Sequence, residues 1–180
     1  MKRLVVLLGL LAVPAHAADD PMAAANAFYA VYAAQHVQGG GIPDATGRLR
    51  YSAVLTPRLN RQVADAAAAQ ARLSAKVRNA VPPMLEGDIF SSLFEGATAW
   101  QIGACTVAGQ AARCPVALTH DVPPAAGRKP EKPAHWNDVL VLANTPAGWK
   151  VDDVSYDAGF AFGNTGKLSE MLAMVVAANP

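Results

Sequence analysis

The side chains considered for acid–base chemistry in this 180-residue chain are three aspartates and two histidines: Asp88, Asp152, Asp153, His120 and His135. Burial can bring the pKa of such groups into the range that acid–base catalysis needs. Asp152 and Asp153 are adjacent in a strand-like segment, so their side chains point to opposite faces and cannot form a dyad. Periodicity does not decide which one faces inward. We expect one to cap a turn or pair with an arginine while the other is solvated.

Asp88 lies in a segment, 84–96, that has the composition of an ordered loop anchored by large apolar side chains. It is either a ligand contact or, as we favour, an Asx-turn acceptor for a following amide. His120 ends a predicted strand, where a surface role is favoured over acid–base chemistry. A functional site, if present, is expected between the helices and the concave sheet face, as a ligand-binding group of Asp88, Phe90, Asp152, Asp153, Tyr156 and His120.

Several other kinds of site are not indicated by the sequence. There is no Gly-x-Ser-x-Gly motif, and the glycines at 39–41 lack the lysine and helix start of a phosphate loop. The four histidines show no clustered ligand spacing, so we expect no metal and no cofactor. The chain has 15 basic and 14 acidic residues without a basic stripe, which argues against nucleic-acid binding.

The first 17 residues have the three parts of a secretory signal peptide. Lys2 and Arg3 precede an apolar run over 4–13, and Ala-His-Ala follows at 15–17. The run is too short to span a bilayer, and no cysteine follows it to carry a lipid anchor. A buried N-terminal helix is the alternative. We expect cleavage after Ala17 and export to the periplasm, without a membrane anchor.

The two cysteines are expected to form a disulfide within one hairpin. An exported chain with an even cysteine count favours a bridge over two buried thiols. Strands over 98–107 and 112–119 are separated by a turn with Gly109 in its first central position, typical of a type II′ hairpin. In the register whose paired residue numbers sum to 219, Cys105 lies opposite Cys114 on a close, non-hydrogen-bonded pair, at about 4.5 Å between Cα atoms.

The order of the predicted elements indicates an α+β domain. Asp20-Pro21 and Thr56-Pro57 each pair a capping side chain with a proline, which predicts helices over 23–35 and from 57 to about 77, with a helical turn at 49–55 between them. Strands follow at 98–107, 112–119, 136–143 and 149–156, with a Pro-rich excursion over 122–133 and a closing helix from 167. We predict one domain over 18–180, with helices on one face of a curved four-stranded antiparallel sheet.

Short motifs along the chain resemble a family of exported bacterial domains of unknown function within the cystatin-like superfamily. They are Leu-Thr-Pro at 55–57, Glu-Gly-Asp-Ile-Phe-Ser-Ser at 86–92, Phe-Glu-Gly at 94–96, Trp-Lys-Val-Asp-Asp-Val-Ser-Tyr at 149–156, and Phe-Gly-Asn at 162–164. The resemblance implies the cone-shaped fold of nuclear transport factor 2-like proteins and export, and it implies no activity.

Three functions follow as alternatives. The first is a non-catalytic periplasmic binding or interaction domain for a small apolar ligand or an exported protein partner. The second is an isomerase- or dehydratase-type enzyme that uses a buried carboxylate, as catalytic members of the superfamily do. The third is an inhibitor or immunity-type partner of another exported protein. A deep apolar cavity with a buried carboxylate would favour the enzyme, and a filled cone with an exposed apolar patch would favour the partner protein. The oligomeric state is left open.

Overall fold

A computed structural model describes residues 20–36, 40–122, 124 and 132–178. The predicted signal peptide and its cleavage site lie outside these residues, as does most of the Pro-rich excursion. None of the helices in the described ranges is long and apolar enough to cross a bilayer.

The described residues form four helices, and their starts follow the capping signals of the sequence. They are α1 (Pro21–His36), α2 (Ala45–Tyr51), α3 (Pro57–Lys76) and α4 (Leu168–Ala178). The Asp20 side chain accepts the Met22 N–H at 2.9 Å. Thr56 caps α3, and Pro57 is the first residue of that helix. The predicted turn at 49–55 is displaced in the structure, because Asp44 caps α2 and starts it four residues earlier.

Six strands in the described ranges form one open antiparallel sheet, where the sequence predicted four. They are β1 (Ala99–Ile102), β2 (Thr106–Ala108), β3 (Ala111–His120), β4 (Ala134–Thr145), β5 (Gly148–Tyr156) and β6 (Gly166–Lys167). The order is β1-β3-β4-β5-β6, and β2 also pairs with β3. The predicted strand over 98–107 is divided into β1 and β2, and the two-residue β6 adds an edge. The apolar segment that forms β4 is central, as predicted.

The division of the first strand comes from one extra residue. β2 pairs with β3 in the predicted register, Ala108 with Ala111, and the Cys105–Cys114 disulfide is present with Cα atoms 4.2 Å apart. β1 pairs one residue out of that register, so Ala99 lies opposite Thr119. The predicted register, in which residue numbers sum to 219, would pair Ala99 with His120. This pairing is wrong, because the chain between β1 and β2 contains a bulge.

The core lies between one face of the sheet and the helices. Alternate residues of β3 are buried, which leaves the other face of that strand exposed. α3 packs against α4, and Ala66 and Ala69 of α3 are completely buried. The molecule is thus a mixed α+β fold with helices over an open antiparallel sheet, and the loop over 84–96 extends the core with Ile89 and Phe90.

Candidate functional site

A cavity of about 460 Å³ opens beside the C-terminal end of α1. This volume is within the range of small-molecule sites. The segment 40–51 and the loop 84–96 complete its walls, and the two are joined by a hydrogen bond from the Gly41 N–H to the Gly87 carbonyl. The lining residues are Tyr32, Gln35, His36, Gly40, Gly41, Ile42, Pro43, Asp44, Thr46, Arg50, Tyr51, Asp88 and Phe90.

Two of the six predicted ligand-binding residues, Asp88 and Phe90, line this cavity. Asp88 is 5% exposed, and both of its carboxylate oxygens are occupied. Oδ1 accepts the Phe90 N–H at 2.7 Å, which is the Asx turn expected from the sequence. Oδ2 accepts the Tyr32 hydroxyl at 2.5 Å and lies 3.2 Å from His36 Nδ1. The turn residue is therefore also the centre of a buried polar cluster.

Tyr32 connects α1 to the loop. Its hydroxyl accepts the Ala97 N–H at 2.7 Å and donates to Asp88, so neither partner is left unpaired. Burial, and then the neighbouring Asp88 carboxylate, raise the pKa of Tyr32 far above its ordinary value. The phenol is therefore a neutral donor at every physiological pH. Its ring stacks on the His36 imidazole with centroids 5.2 Å apart.

His36 is in the last turn of α1, where the helix dipole favours a cation. The hydrogen bond to Asp88 raises the pKa of His36, and partial burial opposes that shift without cancelling it. Only Nδ1 is used in this contact. Nε2, on the opposite side of the ring, has no hydrogen-bond partner among the described residues. The cluster thus presents an imidazole that is held by a carboxylate.

Gly96 packs directly against His36 and Asp88 where these two side chains meet. A Cβ at this position would lie 2.2 Å from His36 Cε1 and 2.3 Å from Asp88 Oδ2, and the backbone has a φ of +74°. Both facts require glycine here. The Gly96 carbonyl is 2.7 Å from His120 Nδ1. His120 therefore lies behind the cluster and holds the loop, and it is outside the cavity wall.

Three further polar residues of the cavity have different surroundings. Asp44 accepts the Gly47 N–H at 2.7 Å and so is used as a helix cap. The exposed Arg50 forms no salt bridge within the described part of the chain. The side-chain nitrogen of Gln35 is buried and has no hydrogen-bond partner among the residues that the structure describes. An unpaired buried donor is rare in folded proteins, because leaving it unpaired costs stability.

Asp152 and Asp153 lie away from the cavity, at the starts of two helices. Asp152 is the extra residue of a β5 bulge, and it accepts hydrogen bonds from Thr56 and from Arg58, the latter at 2.8 Å. Burial opposes ionisation, but the bonds from Arg58 and Thr56 outweigh it and lower the pKa of Asp152. Asp153 is buried and accepts the backbone N–H and the hydroxyl of Ser169. One aspartate thus pairs with an arginine as expected, whereas the expectation that the other is solvated is wrong.

Asp138 and Tyr156 hold the loop 84–96 against the sheet, and neither was expected to have this role. Asp138 on β4 is buried and accepts hydrogen bonds from Ser92, Trp136 and Asp157. Burial raises the pKa of Asp138, and these bonds oppose that shift. Tyr156, a predicted ligand contact, instead donates its hydroxyl to the Ile89 carbonyl at 2.5 Å. These residues position the loop and do not line the cavity.

The sequence reasoning also missed Tyr32, His36 and Gln35. The spacing of Tyr32 and His36 is i, i+4, which places them on one helix face, and this signal was available. No three His, Cys, Asp or Glu side chains in the described ranges come together in a way that could hold a metal ion. A scan of protein-family models and searches of curated proteins and solved structures find no match to this chain.

Proposed function

We propose that this chain is an exported, non-catalytic binding protein that holds a small ligand in the cavity beside Asp88. The observation that carries the proposal is the cavity of about 460 Å³ that lies between α1, the segment 40–51 and the loop 84–96. Around it, Tyr32, Asp88 and His36 are fixed by hydrogen bonds within the chain. A cavity whose polar wall is already held in place keeps the ordering cost of binding small.

Export is supported by the disulfide and by the N-terminal pattern. Cys105 and Cys114 are bonded, and disulfides persist in oxidising compartments such as the periplasm. The basic start, apolar run and Ala-His-Ala end of residues 1–17 are typical of a signal peptide. The cone of nuclear transport factor 2-like proteins remains part of this proposal, since helices over an open antiparallel sheet are consistent with it.

Binding is favoured over catalysis by a buried carboxylate. A carboxylate that works as a general base needs an oxygen that can reach the substrate. Asp88, Asp138 and Asp153 each accept at least three hydrogen bonds or close contacts from the chain itself. Their oxygens are therefore engaged in holding the fold.

A second candidate function is acid–base catalysis by His36, of the isomerase or dehydratase type. The observation in its favour is the 3.2 Å contact between His36 Nδ1 and Asp88 Oδ2, which orients the ring and leaves Nε2 without a hydrogen-bond partner among the described residues. This enzyme would use the imidazole, with Asp88 as its positioning residue.

A fragment screen followed by ¹H–¹⁵N NMR on the purified protein tests the binding proposal. We expect hits to shift the amide signals of Gln35, Gly41 and Phe90, which belong to the three parts of the cavity wall. The amides of Asp152 and Ser169 at the distant helix starts are the internal control. A screen without hits, or hits that shift only signals outside the cavity, would refute the proposed site.

A further inference from the structure

Asn164 is the last residue of the Phe-Gly-Asn motif, and the structure places it against the loop 84–96. Its side chain is buried, and the side-chain nitrogen donates to the carbonyls of Asp88 and Ser91, at 2.6 Å each. Its backbone N–H donates to the Ser92 carbonyl at 2.8 Å. One residue from outside the loop therefore holds three of its carbonyl groups.

The chemistry of asparagine suits this position. A side-chain amide has two N–H donors, and here each donor is matched to a different carbonyl. A side chain of similar shape without donors, such as leucine, would leave both carbonyls without this partner. Gly163 allows the close approach, because a Cβ at that position would lie 2.5 Å from the Ser92 carbonyl oxygen.

The backbone of Asp88 is held on both sides, and this sets the direction of its carboxylate. The Asp88 N–H donates to the Phe94 carbonyl at 2.7 Å, and the Asp88 carbonyl accepts from Asn164. Oδ1 accepts the Phe90 N–H at 2.7 Å. Oδ2 then lies 3.2 Å from His36 Nδ1. Of the two backbone bonds, the one from Asn164 comes from outside the loop.

We propose that Asn164 is a positioning residue of the cavity, which holds the backbone of Asp88 and thereby directs its carboxylate onto His36. Asp138 and Tyr156 bond to other residues of the loop, whereas Asn164 bonds to Asp88 itself. This inference rests on the proposed binding function and deepens it, because it identifies a residue outside the cavity lining that controls the polar wall.

An NMR titration of His36 tests this role without any ligand. The hydrogen bond to Asp88 raises the pKa of His36. In Asn164→Ala we expect this pKa to fall toward its ordinary value of about 6.5, because the carboxylate is no longer held in place. Asn60→Ala is the matched control: the Asn60 side-chain nitrogen also donates to two carbonyls, at 3.4 and 3.2 Å, but both belong to the turn 52–55. It should leave the pKa of His36 unchanged.

The other titratable and charged groups around His36 are the same in both variants, so a shift of its pKa reports on Asp88. These groups are Tyr32, Asp44, Arg50 and Tyr51 in the cavity wall, and His120 behind Gly96. A merely structural bond would lower stability and leave the titration of His36 as it is. A folded Asn164→Ala protein with the wild-type pKa of His36 would therefore overturn the proposal.

A measurement on the wild type decides the question if Asn164→Ala does not fold. The side-chain amide signals of Asn164 should shift as His36 titrates, because this amide is bonded to the residue whose carboxylate contacts the imidazole. The side-chain amide signals of Asn60 should stay constant. Asn164 signals that do not move through the titration would overturn the proposal.

The outcomes separate this inference from the binding proposal. A lowered pKa of His36 in Asn164→Ala, together with a fragment screen that finds no hit in the cavity, would support the positioning role and refute ligand binding. An unchanged pKa, together with fragments that shift the cavity amides, would refute the positioning role and leave the cavity as a binding site.

Discussion

The imidazole of His36 lies 3.2 Å from the carboxylate of Asp88, and this contact joins the end of α1 to the loop 84–96. Tyr32, one helical turn before His36, donates to the same oxygen. The two residues come from distant parts of the chain, so only the folded structure brings them together. The shape of the cavity depends on this contact, because both residues form part of its wall.

Replacement of Gly96 by alanine is expected to break this contact. The added Cβ would collide with His36 and Asp88, so we expect a loss of about 2–5 kcal/mol in the free energy of unfolding. Gly109→Ala is the matched control: its φ is also positive, at +61°, but no atom lies within 4 Å of the new Cβ. It should lose only about 1–2 kcal/mol. Urea unfolding measures both, and equal losses would contradict the close packing.

The contact also predicts a pH dependence of stability. The folded-state pKa of His36 is raised above its unfolded value by Asp88. Its stabilising contribution is therefore fully present below the unfolded pKa of about 6.5 and is lost as pH rises through the folded pKa. The charged side chains that share the cavity wall with His36 are Asp88, Asp44 and Arg50. Urea titrations of wild type and His36→Gln should show the largest difference in the free energy of unfolding below about pH 6.5. A constant difference across the range would contradict the prediction.

Asp152 and Asp153 are predicted to be scaffold residues. Asp152→Asn weakens a partly exposed ion pair with Arg58 and should cost about 0.5–1 kcal/mol. Asp153→Asn weakens the acceptor at the start of α4 and should cost about 1–2 kcal/mol. Neither change should alter the affinity for a ligand found by screening, whereas Asp88→Asn should. A ligand-specific loss in Asp152→Asn or Asp153→Asn would move the site away from the cavity.

The disulfide closes a short loop within one hairpin, so its removal should be tolerated. Cys105→Ala with Cys114→Ala is expected to cost about 1–3 kcal/mol and to keep the fold.

Intact mass of the exported protein should show a bonded chain that begins at Ala18. Free thiols in the denatured, unreduced protein, or a chain that retains Met1, would contradict the proposed export.

Local signals in the sequence predicted local structure well. A capping side chain before proline located the starts of α1 and α3, and the glycine turn located the Cys105–Cys114 pair. The bulge before β2 and the one at Asp152 were not predicted, because one extra residue hardly changes the hydrophobic pattern of a strand.

The candidate site could be predicted only in part. Asp88 was singled out because it follows Gly87 and precedes an apolar residue, in a loop expected to close over one end of the sheet. His36 was missed because it ends a helix before a glycine-rich stretch, where a solvated position is the usual expectation. Its contact with Asp88 depends on how α1 packs against the loop 84–96, and nothing local in the sequence specifies that packing.

Filling the cavity is the most direct test that it is the ligand site. Ile42→Trp places a larger side chain in the wall, and Leu49→Trp makes a similar change at a position that is 73% exposed and outside the lining. The measurement is the dissociation constant of the best fragment for both variants and the wild type. The account predicts at least tenfold weaker binding to Ile42→Trp and unchanged binding to Leu49→Trp. Unchanged binding to a folded Ile42→Trp protein would contradict it.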